Sequence, residues 1–194
     1  MKKVIIINGS GGIGKDEFVE AVSKYTNVVN CDSVKIIKDM ATLAGCDGKK
    51  TEKDRKFLSD LKALVMAYND MPFRYVSNSI DNFLRFDFNM KNALIFLHIR
   101  EPKEIKRVVD KYGAITVLIR NKKVKKIESN DSDANVENYD YDFIIENNTS
   151  LIDLEEKART FLEVVADKEL FRLAMNTTCV NYVEKDRVVR RNRR

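Results

Sequence analysis

The chain has 194 residues, of which 44% are hydrophobic and 34% are charged, the composition of one soluble globular domain with a substantial core. No apolar run approaches the roughly 20 residues of a membrane span, and three scattered cysteines with one histidine argue against a disulfide framework or a zinc site. We therefore expect a reducing, cytoplasmic setting.

The net charge of +5 resides in the basic tail, residues 185–194, because the rest of the chain carries equal numbers of positive and negative residues. Contact with nucleic acid is accordingly possible only through this tail.

The first predicted elements are a strand, a glycine-rich loop and a helix. Residues 4–7 form an unbroken apolar run, which favours a strand buried on both faces. Four of the seven glycines follow within residues 9–14, and from Lys15 the apolar residues recur at helical spacing. Glycine lets a backbone approach a ligand closely, and a helix N-terminus offers free N–H groups to an anion. The stretch therefore predicts a phosphate-binding loop.

Two known motifs overlap in this loop. The phosphate loop G-x-x-x-x-G-K-[ST] fits, with an aspartate at the last position, and its residues are Gly9, Ser10, Gly11, Gly12, Ile13, Gly14, Lys15 and Asp16. The dinucleotide fingerprint G-x-G-x-x-G fits as well, with Asp32 as its ribose acid. Lys15 favours the phosphate loop, since a lysine there reaches the β- and γ-phosphates. A dinucleotide site and an ordinary glycine-rich connection remain alternatives.

The remaining elements alternate between strands and helices. Strands are predicted at 27–31, 93–99, 114–119 and 143–145, and helices at 34–44, from 51, from 72, at 103–111 and at 151–165. Alternation of this kind implies parallel crossover connections. We therefore predict a three-layer α/β fold with a five-stranded parallel sheet.

The connections suggest how the chain is divided. About sixty mainly helical residues, the insertion 33–90, separate the second and third strands, far more than one crossover requires. Residues 120–141 are polar and are predicted to form a short lid. The sequence thus predicts a domain at 1–167 that contains both features, followed by a C-terminal extension at 168–194.

Five features occur in order along roughly residues 3–165: the motifs Gly14-Lys15-Asp16, Ser33-Val34-Lys35, Lys53-Asp54-Arg55 and Ile99-Arg100-Glu101-Pro102, and the segment 141–147. Through them the chain resembles the nucleoside-monophosphate-kinase-like branch of the P-loop NTPase fold, and within it the phage-type deoxynucleoside monophosphate kinases and animal-type phosphomevalonate kinases. His98 departs from the pattern, because these families usually place an acidic residue there. We expect His98 to be a packed residue of its apolar strand.

The resemblance implies ATP-dependent phosphoryl transfer to a small phosphorylated acceptor, most simply a nucleoside or deoxynucleoside monophosphate, with Mg²⁺. Lys15 and Arg100 are the catalytic candidates. ATP would be held by residues 9–16 with Arg120 and Lys122. Asp16 supplies an oxygen ligand suited to Mg²⁺. The acceptor's phosphate would be held by basic residues, namely Lys35, Arg55, Arg74 and Arg100.

Three other functions stay open on the sequence. A phosphomevalonate-kinase-like enzyme would share the loop and differ in its acceptor. A regulatory or nucleic-acid-associated protein would bind nucleotide without turnover, consistent with the basic tail. An NAD(P)-dependent reductase would use the dinucleotide fingerprint.

Overall fold

The structure is a computed structural model, and it describes five stretches of the chain: residues 2–49, 51–85, 92–124, 136–166 and 188–189. The described residues divide into two compact units. The first unit is formed by residues 1–30 and 89–194, and the second by residues 31–88.

The described residues contain the predicted helices and strands in the predicted order. They are β1 (Lys2–Asn8), α1 (Lys15–Ser23), β2 (Asn27–Asp32), α2 (Lys35–Leu43), α3 (Glu52–Asn69), α4 (Met71–Arg85), β3 (Ala93–His98), α5 (Pro102–Tyr112), β4 (Ile115–Arg120), β5 (Phe143–Glu146), α6 (Leu151–Ala166) and β6 (Val188–Val189). The last of these, β6, was not predicted.

The strands form one sheet in the order β2-β3-β1-β4-β5-β6. Strand β1 pairs in parallel with β3 and β4, and β5 pairs in parallel with β4. The short β6 adds to the edge of β5 in the antiparallel direction. The predicted three-layer α/β P-loop fold with a five-stranded parallel sheet is thereby confirmed.

The core of the first unit lies on both faces of this sheet. Ile5 and Ile6 are adjacent in β1 and point to opposite faces, and both are fully buried. On one face α1 and α6 pack together through Phe161, whose ring makes edge-to-face contacts with Phe18 and Phe143 at centroid distances of 5.7 and 5.4 Å. Helix α5 also buries an apolar side. Burial on both faces explains why the strands are continuous apolar runs.

The second unit is described by helices α2, α3 and α4, which contact one another. Helix α3 begins with a capping box, in which Thr51 and Asp54 each accept a hydrogen bond from the other's backbone N–H. Most of the predicted insertion 33–90 falls in this unit. Residues 125–135 of the predicted lid, and all of the extension 168–194 except residues 188–189, lie outside the described residues. The predicted domain boundaries therefore stay a prediction.

Phe161 provides a test of the packing. Replacing Phe161 with alanine should lower the free energy of unfolding by about 3–5 kcal/mol, because a fully buried aromatic ring and two edge-to-face contacts are lost. Urea unfolding followed by circular dichroism measures the change. Ile152→Ala is the control on the same helix, since Ile152 is 81% exposed, and it should change stability by less than about 0.5 kcal/mol. Equal effects of the two changes would contradict this packing.

Candidate phosphate-binding site

The loop between β1 and α1 has a backbone that requires glycine. Gly9 has φ +145°, and an added Cβ would lie 2.7 Å from the carbonyl oxygen of Ile119. Gly14 has φ +96° and stands at the N-cap of α1, where no side chain caps the helix. The N-terminus of α1 therefore presents backbone N–H groups beside the loop, the arrangement that binds phosphate.

The side chain of Lys15 lies back over the loop. Its ammonium donates to the carbonyl oxygens of Gly9 and Ser10 at 2.6 and 2.7 Å. The positive charge is thus held beside the glycine backbone and at the positive end of α1. This concentration of positive potential and N–H donors favours a polyanion such as a triphosphate.

A buried asparagine fixes the entry to the loop. Asn8 is fully buried, and its side-chain oxygen accepts from the N–H of Gly9 at 2.7 Å. Its side-chain amide donates to the carbonyl oxygen of Arg100 at 3.1 Å and to the hydroxyl of Tyr141 at 2.6 Å. The Tyr141 hydroxyl in turn donates to the carbonyl oxygen of Val136 at 2.7 Å. This network joins the loop to the backbone that follows β3 and to the segment that precedes β5.

Burial raises the pKa of the Tyr141 hydroxyl far above its usual range. The hydroxyl therefore stays protonated across the physiological range and remains a donor. Sequence reasoning missed both Asn8 and Tyr141. The available signal was a polar residue, Asn8, at the end of an apolar strand directly before the glycines.

The segment after β5 supports the other side of the loop. The side-chain amide of Asn147 donates to the carbonyl oxygen of Ile13 at 2.9 Å, and its backbone N–H donates to the carbonyl oxygen of Arg120 at 2.6 Å. Lys157, whose side chain is only 4% exposed, donates to the carbonyl oxygen of Glu146 at 2.8 Å and pairs with Asp153 at 2.5 Å. These contacts hold the β5–α6 connection against the loop, and none was foreseen from the sequence.

An open cavity of about 530 Å³ adjoins the loop and the ends of β4 and β5. Ser10, Ile13, Arg120 and Lys122 contribute to its lining. One guanidinium N–H₂ group of Arg120 pairs with Glu137 at 3.2 Å, whereas its Nε is buried without a hydrogen-bond partner among the described residues. A buried unsatisfied donor is uncommon. Arg120 thus lines the cavity with one guanidinium nitrogen that the described residues do not satisfy.

The first unit brings together the candidates from the loop and the strand ends. Arg100 follows β3 and is half-buried, Arg120 ends β4, and Lys122 is exposed with its backbone N–H donating to Asn148 at 2.7 Å. Asp16 lies in the first turn of α1 with its side chain 85% exposed, and its Oδ1 is 3.9 Å from Nε2 of His98. His98 was expected to be packed within its strand. Its side chain is 18% exposed at the end of β3, and its Nε2 lies 2.7 Å from Oδ1 of Asn30.

The other three candidates belong to the second unit. Lys35 is exposed and pairs with Asp39 at 2.7 Å, and this hydrogen bond raises the pKa of the lysine. Arg55 lies in the first turns of α3 and Arg74 in the first turns of α4, both with exposed side chains. Their role in binding an acceptor stays a prediction.

Few protein groups at this site are candidates for holding a metal ion. Among the residues that the structure describes, no cluster of three or more histidine, cysteine, aspartate or glutamate side chains is placed to hold an ion. The exposed carboxylate of Asp16 fits Mg²⁺, which takes one or two carboxylates together with phosphate oxygens and water. In the same described part, no helix has the length and apolar character needed to cross a membrane.

Comparison with known proteins relates the fold to two solved structures. No protein-family model matches the sequence, and no curated protein matches it. The structure is similar to the unliganded structure of a sugar kinase from Janibacter sp. HTCC2649, with 14% identity, 84% of this chain and 96% of that chain covered, and a TM-score of 0.50. It is also similar to the tunicamycin resistance protein of Deinococcus radiodurans, with 11% identity, 85% of this chain and 96% of that chain covered, and a TM-score of 0.51. At these identities the likeness shows a shared fold.

Asn147 provides a test of loop support. Asn147→Ala removes one hydrogen bond to the loop, worth about 1 kcal/mol, so the affinity for ATP should fall about 5-fold. Isothermal titration with ATP measures the change. Asn27→Ala, which alters an exposed asparagine on β2, is the control and should leave the affinity unchanged. An unaltered affinity in Asn147→Ala would show that this contact does not shape the loop.

Proposed function

We propose that this protein is an ATP-dependent phosphotransferase that acts on a small phosphorylated acceptor, a nucleoside or deoxynucleoside monophosphate. The observation that carries the proposal is the glycine loop with Lys15 held over it at the N-terminus of α1. The cavity beside the loop and the unsatisfied Nε of Arg120 add a place for the rest of the nucleotide.

The chemistry requires positioning and charge neutralisation rather than a covalent intermediate. The loop N–H groups and Lys15 would bind the β- and γ-phosphates, and Arg120 with Lys122 would neutralise charge from the cavity side. Arg100, whose backbone is tied to Asn8 at the adjacent strand end, would bind the phosphoryl group as it moves to the acceptor. Mg²⁺, held by Asp16 and phosphate oxygens, would offset the negative charge that the transfer concentrates.

Lys35, Arg55 and Arg74 are the proposed groups for the acceptor's own phosphate. A guanidinium binds a phosphate through two parallel hydrogen bonds, and both arginine side chains are exposed. Because the two proteins of similar fold are named as a sugar kinase and a tunicamycin resistance protein, an acceptor hydroxyl on a sugar also belongs in any substrate screen.

Turnover tests the proposal directly. ADP release should be measured with Mg²⁺ and ATP against all ribo- and deoxyribonucleoside monophosphates, phosphomevalonate and simple sugars. We expect release that depends on a nucleoside monophosphate and falls at least about 100-fold in Lys15→Ala, since a preorganised donor to the transferring phosphates is lost. Lys24→Ala is the matched control at the residue that caps the C-terminus of α1, where the lysine pairs with Glu155, and it should be silent.

The remaining outcomes each identify an alternative. Turnover with phosphomevalonate alone would replace the acceptor and keep the reaction. ATP binding without turnover on any acceptor would favour a nucleotide-dependent regulator. Tight NAD(P)H binding with indifference to ATP would indicate that the loop serves a reductase.

Arg120 tests the nucleotide side of the site. Arg120→Gln should raise the KM for ATP about 10-fold or more, because a charged hydrogen bond contributes about 1.5–3 kcal/mol, and Arg120→Lys should recover part of the loss. Arg107→Gln is the control, since Arg107 pairs with Glu104 on α5. Steady-state kinetics at saturating acceptor gives the values. An unchanged KM for ATP in Arg120→Gln would place the nucleotide elsewhere.

A further inference from the structure

Three polar side chains from separate elements meet beside the start of α1. Nε2 of His98, at the end of β3, lies 2.7 Å from the side-chain oxygen of Asn30 on β2. The same nitrogen lies 3.9 Å from Oδ1 of Asp16 on α1. The phosphate-loop prediction used only Asp16 of these three. Together they form a cluster of one nitrogen and two oxygen donors, here called the His98 cluster.

The spacing of the His98 cluster is compatible with a shared cation. Two donors that each lie about 2.1 Å from one ion are about 3 Å apart at a right angle and about 4.2 Å apart at opposite positions. The 3.9 Å between His98 and Asp16 falls within this range. The 2.7 Å contact between His98 and Asn30 is a hydrogen bond, and a cation would take the place of its hydrogen.

The cluster is also accessible. The Asp16 side chain is 85% exposed and the His98 side chain 18% exposed. Asp16 directly follows Lys15, so an ion at the cluster would lie beside the loop and could share ligands with a bound phosphate. Mg²⁺ and Mn²⁺ both take oxygen ligands, but first-row transition ions, Mn²⁺ included, accept an imidazole nitrogen more readily than Mg²⁺ does.

We propose that His98 and Asp16, with Asn30 beside them, bind the divalent cation that accompanies the nucleotide, and that the imidazole makes this site prefer a first-row transition ion such as Mn²⁺ over Mg²⁺. The proposal rests on the proposed nucleotide-binding function. It assigns a metal-binding role to a histidine that the sequence pattern indicated to be a packed strand residue.

Pulsed electron paramagnetic resonance of the full chain with Mn²⁺ and ATP tests this inference. Because the chain has a single histidine, a tag-free preparation has one imidazole, and nitrogen coupling from an imidazole ligand identifies His98. We expect this coupling in the unaltered protein and its loss in His98→Gln. Titrations of ATP in the presence of each ion should show that His98→Gln lowers the preference for Mn²⁺ over Mg²⁺ at least about 10-fold. Replacing a residue that merely supports a metal ligand already changes metal affinity by this amount.

A matched pair of carboxylates controls for charge at the start of α1. Asp16→Asn should weaken Mn²⁺ binding, whereas Glu17→Gln, in the same exposed first turn, should not. His98→Asp should retain cation binding and shift the preference toward Mg²⁺, because all the donors are then oxygens. Since His98 is partly exposed at a strand end, circular dichroism of each variant should match the unaltered protein.

The outcomes separate this inference from the proposed function. ATP binding without imidazole coupling, or an unchanged ion preference in His98→Gln, overturns the inference and leaves the phosphotransferase intact. Failure of ATP to bind with any ion overturns the proposed function. In that case, imidazole coupling measured with Mn²⁺ and no ATP would still support the His98 cluster. No coupling under those conditions would overturn the inference.

Discussion

The tight turn that carries the chain from β1 into α1 is the constraint on which the site depends. At Gly9 the backbone passes so close to Ile119 that an added Cβ would lie 2.7 Å from a carbonyl oxygen, so only glycine fits without displacing β4. Asn8, fully buried, satisfies the N–H of Gly9 and ties the turn to the backbone of Arg100. A buried polar group left without a partner would be costly. The turn is therefore fixed by contacts from strands distant in the sequence.

The parallel sheet explains why the polar groups gather at one edge. Each of the central strands contains a buried, mainly apolar run and ends in a polar residue: Asn8 ends β1, His98 ends β3 and Arg120 ends β4. Because parallel strands end at the same edge, these side chains converge where the loop and the start of α1 lie. The apolar interior thus gives the unit its stability, and the strand ends supply its chemistry.

Support for the loop comes from two sides with different chemistry. On one side the network of Asn8 and Tyr141 is uncharged, and the Tyr141 hydroxyl stays protonated because burial raises its pKa. On the other side Asn147 contacts Ile13, and the buried Lys157 holds the preceding strand end. These two sets of contacts hold backbone oxygens and N–H groups in position. Fixed backbone groups of this kind are the preorganisation that the proposed phosphoryl transfer requires.

The sequence by itself determined the alternation of strands and helices, the parallel sheet and the glycine loop before α1, because these follow from local patterns: unbroken apolar runs, helical spacing after Lys15 and four clustered glycines. It also pointed to Arg120, from its place after a strand. Only the tertiary structure decided that Asn8 and Tyr141 share a network and that His98 lies beside Asp16 and Asn30. These contacts join residues up to 133 positions apart, and no periodicity or motif within one segment encodes them. They depend on strand order and register, which the packing of the whole unit sets.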